Sequence, residues 1–111
     1  MAQGVLETGP LPHEALAAAR AFHAEQLPKV TSALAGEIDN LAIVMKCPAY
    51  DHADWRRAIA RDLAREYAPK RVNIVAGDAA DEIEATLAFL DAAPGVTGHY
   101  LPLQSGGGAR V

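Results

Sequence analysis

The chain reads as an α/β domain built on a small parallel sheet of three to four strands with three helices, in the order βαβαβαβ. Three observations lead there. Leu41 to Met45, LAIVM, is apolar at every position, as a strand buried on both faces of a parallel sheet requires. Arg71 to Ala76, RVNIVA, is a second β-branched run. The stretches between such runs are long enough for helices and carry apolar residues at spacings of three and four. Length agrees, since 111 residues, half of them apolar and 22% charged, supply one core and argue against disorder.

The first element, Gly4 to Glu7, is short and closed by Gly9-Pro10, so it reads either as an edge strand or as an ordered arm. From His13 to about Leu34, the positions Leu16, Ala19, His23, Leu27, Val30 and Leu34 form an amphipathic stripe. Pro28 interrupts it. A proline there cannot donate to the Ala24 carbonyl and crowds it, at a cost of roughly 3 kcal/mol unless the helix deforms, so a kink is expected between Ala24 and Pro28.

After LAIVM, Asp51 is placed to cap a helix running from His52 to Tyr67, and Asp54 suits the positive end of its dipole. Trp55, Ile59, Leu63 and Tyr67 recur every four residues, while Arg56, Arg57, Arg61 and Arg65 are assigned to other faces. Gly77 closes RVNIVA, and Asp78 is placed to cap the helix Ala79 to Ala92, with a stripe of Ile83, Thr86, Leu87 and Leu90 that Pro94-Gly95 stops. Thr97 to Leu103 supplies the last strand. Residues 1–104 form the single domain, and 105–111, starting Ser105-Gly106-Gly107-Gly108, are expected to be a mobile tail.

Successive right-handed crossovers in one direction put their helices on one face of the sheet and leave the other bare. An apolar face left in water costs roughly 25 cal/mol per Å². Either the last helix crosses to it, or a second copy or another protein covers it.

Ten Lys and Arg against fourteen Asp and Glu give a net charge of −4, which removes the basis for phosphate-backbone binding, so no nucleic acid is expected as a partner. Cys47 is the single cysteine and cannot form an internal disulfide. With no apolar run near the roughly 18 residues of a membrane span and no leader pattern, the expected setting is soluble and cytoplasmic, with no membrane partner.

The strings RDLAREYAPKRVNIVAGD and EIEATLAFLDAAPGVTGHYLPLQSGG carry more specific information. Leu63, Ala64, Glu66, Ala68 and Pro69 lead into Arg71, Val72, Asn73 and Val75, followed by Ala85, Phe89, Leu90 and then Val96, Thr97 and Gly98. In order and spacing this resembles the C-terminal half of the short-chain dehydrogenase/reductase family, over about Ala15 to Gly107. The resemblance implies a Rossmann-like fold, and it implies helices that build a four-helix contact between subunits.

The same resemblance locates what is altered. The family holds NAD(P) on a glycine-rich turn, and no Gly-x-x-x-Gly-x-Gly occurs in residues 1–111, so no cofactor is expected. Its catalysis uses Tyr-x-x-x-Lys, the lysine lowering the phenol pKa, with a serine positioning the substrate oxygen. By the family spacing, Ala49 and Ala53 stand at the tyrosine and lysine positions, Cys47 or Pro48 at the serine, and Ala15 near the helix asparagine. Tyr50 is out of register, and Asp54 four residues on would raise its pKa rather than lower it. Gly77-Asp78 replaces the family's Pro-Gly, and Gln104 its terminal aspartate.

Cys47 and His52 do not make a metal site, for which three or four converging donors are needed. Cys47 is expected to be a packed thiol, His23 a core-edge histidine, and His13, His52 and His99 solvated or capping. The arginines of the middle helix are expected to pair with Asp54, Asp62 and Glu66 on a solvated or interface face, with an anion or nucleotide site as the alternative. Ligand-pocket candidates beyond the strand ends are Cys47, Tyr50, Asn73, Gly77 and Asp78. Trp55, Ile59, Leu63 and Tyr67 are the candidate interface.

The sequence therefore points to a protein without the family's chemistry, self-associating as a homodimer or higher oligomer, with a full-length dehydrogenase as a further candidate partner. A small-ligand or nucleotide binder with an intersubunit pocket, and an enzyme with a reinvented site near Cys47 and Tyr50, stay open.

Overall fold

The computed structural model describes residues 2–48 and 50–103. Four parallel strands, β1 (Gln3–Glu7), β2 (Asn40–Met45), β3 (Arg71–Ala76) and β4 (Tyr100–Pro102), lie side by side in sequence order. The helices are α1 (Ala15–Ala21) continuing into α2 (Leu27–Leu34), then α3 (Ala53–Glu66) and α4 (Ala80–Asp91). This is the α/β arrangement expected from the sequence, with the first run now a strand paired to β2 from Gln3↔Asn40 to Glu7↔Val44. Tyr100 to Pro102 is shorter than the expected last strand, and residues 105–111 lie outside the described residues.

Proline chemistry shapes the first helix. Between α1 and α2 the chain takes one π-helical stretch, Phe22–Gln26, in which the Leu27 N–H reaches back five residues to the Phe22 carbonyl. Pro28 thereby becomes the second residue of a new helix, where its missing N–H is harmless. The wider turn also moves the buried face, which runs Ala18, Phe22, Gln26, Val30, Leu34. The stripe read from the sequence is corrected accordingly, with Leu16 85% exposed and His23 exposed, its Nδ1 2.8 Å from the Ala19 carbonyl.

Alternation along the strands sorts the core into two layers. Leu41, Ile43, Met45, Val72 and Ile74 face α1, α2 and α3, packing with Phe22, Val30, Leu34, Ile59, Ala60 and Leu63. Ala42 and Val75 face the opposite way and pack with Leu90 of α4. The last helix therefore covers the second face. Since β2 to β3 and β3 to β4 step in the same direction, with α3 and α4 on opposite faces, the last crossover has the opposite hand to the one before it.

Both expected aspartate caps are corrected. α3 begins at Ala53 after a 3-10 turn, Tyr50–His52, and neither it nor α4 has a side-chain N-cap. Asp54 does occupy the first turn of α3. No helix among the described residues is long and apolar enough to cross a membrane.

Candidate functional site

The carboxyl ends of β1, β2 and β3 frame two adjoining hollows. One, of about 120 Å³, lies between Gly9–His13 and Lys46–Pro48, with His52 and Arg56 in its lining. The other, of about 110 Å³, lies between Val44–Lys46 and Gly77-Asp78. Gly9 can close the β1 end because its φ is +73°, in the left-handed region where glycine is unpenalised.

The pocket candidates separate. Cys47 lines the first hollow, its backbone N–H donating to Asp78 Oδ1 at 3.2 Å and its Sγ 3.8 Å from the Leu103 carbonyl. Gly77 and Asp78 line the second. Tyr50 opens the 3-10 turn before α3. Asn73 is at neither hollow. It is buried in mid-strand, its Nδ2 donating to the Val96 carbonyl and its Oδ1 accepting the His99 N–H, so it anchors the segment that leads into β4.

His52, expected to be solvated or capping, and Arg56, expected to pair with acids on a solvated or interface face, are internal. His52 is 3% exposed. Trp55 Nε1 can only donate, so His52 Nδ1 at 3.2 Å accepts, and His52 Nε2 carries the hydrogen and donates to the His13 carbonyl at 2.7 Å. Arg56 is also 3% exposed, its Nη1 donating to the Lys46 carbonyl at 3.1 Å. Its guanidinium sits over the Trp55 ring at 5.5 Å and the Tyr100 ring at 5.9 Å. The spacing carried the signal, because Arg56 shares a helical face with Ile59, Ala60 and Leu63 at intervals of three, four and seven. The other expected pairings hold at Arg57–Asp54 and Arg65–Asp62.

The candidate interface residues lie beside α2. Ile59 and Leu63 are 7% and 5% exposed and belong to the core, while Trp55 and Tyr67 are half-buried at its edge. Between α2 and α3 runs an open groove of about 250 Å³, with Ile59 and Leu63 in its lining, Leu27 and Tyr67 beside them, and Asp62 and Glu66 among its polar lining. Among the described residues no three His, Cys, Asp or Glu side chains come together as a metal site.

Residues 6–103 match the model of a family described as short chain dehydrogenase-like protein. The chain belongs to this SDR-like family. No curated protein and no solved structure matches it. Within the SDR-like chain, Ala53, at the position the resemblance gives to lysine, is the first residue of α3 and carries no group that could exchange a proton. Cys47 and Pro48, which bracket the serine position, line the first hollow. The polar side chains in its lining include Arg56, His52, His13 and Lys46.

Proposed function

We propose that this SDR-like protein is a non-catalytic interaction module that self-associates through the face formed by α2 and α3. The observation that carries the reading is the open groove between these helices, whose lining includes Leu27, Ile59, Leu63 and Tyr67. Apolar surface of this kind gains roughly 25 cal/mol for each Å² removed from water. Ala49 and Ala53 at the family's tyrosine and lysine positions support a role other than the family's proton transfer.

A second copy suits this face, because a two-fold axis beside the groove lets the Leu27 and Tyr67 surface of each subunit cover that of the other.

Sedimentation at micromolar concentration tests this, with an expected mass of twice 11.7 kDa. Leu27→Asp, in the half-buried groove lining, should weaken the dimer by about tenfold or more, because it places a charge in the apolar contact. A clean 11.7 kDa species throughout, or a dimer unaffected by Leu27→Asp, would exclude this face.

A further inference from the structure

Arg56 has a donor edge that the fold leaves idle. Its Nη1 is engaged by the Lys46 carbonyl and, at 3.5 Å, by Tyr100 Oη. Nε is buried with no acceptor, and nothing among the described residues accepts from Nη2. Of the two, Nη2 is not among the buried atoms, so it is the donor that a carboxylate in the adjoining hollow reaches.

None of the protein's own acids near this end of the sheet, Glu7 included, pairs with Arg56 among the described residues. Asp51 lies 3.8 Å from His52, Asp54 pairs with Arg57, and Asp78 accepts the Cys47 N–H. No ion pair to Arg56 forms among the described residues. A guanidinium cannot shed its proton, and a buried cation without a counter-ion is strongly disfavoured, only part of which the flanking Trp55 and Tyr100 rings offset.

We propose that the first hollow binds a small monocarboxylate, held by Arg56 Nη2 and attracted by the exposed Lys46 that also lines it. The volume of about 120 Å³, against roughly 150 Å³ for a cavity that holds benzene, restricts the guest to a few heavy atoms. This site is separate from the α2–α3 face.

Trp55 is the chain's one tryptophan and stacks on the Arg56 guanidinium, so its fluorescence reports occupancy. Acetate and propionate, titrated against chloride at constant ionic strength, should give a saturable change that Arg56→Met abolishes. Lys46→Met should weaken it by roughly three- to tenfold with an unchanged circular dichroism spectrum. An acetate response no different from chloride overturns the proposal, as does saturation that survives undiminished in Arg56→Met, or saturation by phosphate but not by carboxylates. Should Arg56→Met fail to fold, the acetate–chloride comparison and Lys46→Met decide, and an affinity unchanged by Lys46→Met counts against the site.

Discussion

Asn40 and Arg71 are register partners on adjacent strands, and both hold helix α4. Asn40 Nδ2 donates to Asp91 Oδ1, and Arg71 Nη1 donates to the carbonyls of Leu90 and Ala93 at 2.7 and 2.9 Å. Gln3, the partner of Asn40 on β1, donates from Nε2 to the Leu87 carbonyl, so one cross-strand row secures the C-terminal half of α4. The row matters because the apolar layer beneath α4 is thin, with Ala42, Val75 and Leu90 as its fully buried members, and the arginine also meets the negative end of the helix dipole.

Arg71→Met should therefore cost about 1–3 kcal/mol and act locally. Hydrogen exchange checks it. The amides of α4 should exchange faster than those of α3 even in the unaltered protein, and the substitution should widen that gap. Uniform loss of protection across the sheet would mean that α4 does not open on its own.

His52 is fixed in one tautomer by neighbours of opposite demand, the Trp55 indole N–H and the His13 carbonyl. Long-range nitrogen–proton NMR should find the hydrogen on Nε2. His52→Leu leaves both partners without a mate and should cost about 2 kcal/mol by urea unfolding, with a shift in Trp55 emission.

Gly98 has φ +78°, and a Cβ there would lie 3.3 Å from the Ala64 Cβ of α3. Gly9 has a similar φ of +73° but nothing within 4 Å of a Cβ. Gly98→Ala should thus cost about 2 kcal/mol and Gly9→Ala about 1, since one adds crowding to backbone strain and the other adds strain alone. Equal losses in thermal unfolding would mean that α3 yields to the added methyl.

The strands were legible because LAIVM is apolar at every position and RVNIVA is rich in β-branched residues, as strands buried on both faces require. The side of α4 was not, because connection rules favour one hand, and the row Gln3, Asn40 and Arg71 that holds it to the second face becomes a row only once the register is known. The site was half legible. Cys47, Gly77 and Asp78 sit at strand ends and read as pocket candidates on that ground, whereas Arg56 reads by its charge as one of the ion-pairing arginines although its spacing from Ile59 and Leu63 places it inside. Asp78 precedes a helix but accepts the Cys47 N–H, which residue type alone does not reveal.

The π-helical stretch gives the sharpest contrast between sequence pattern and packing. A regular helix from His13 to Leu34 would bury Leu16, yet it is Phe22 that is fully enclosed, its ring 5.7 Å from that of Trp55, while Leu16 is 85% exposed. Phe22→Ala should then cost about 3–5 kcal/mol, a large part of the roughly 5–15 kcal/mol that holds a domain folded. Leu16→Ala should change stability by no more than about 0.5 kcal/mol. Denaturant unfolding of the two variants separates the registers, because a regular helix predicts the larger loss at Leu16 and the π-shifted helix predicts it at Phe22.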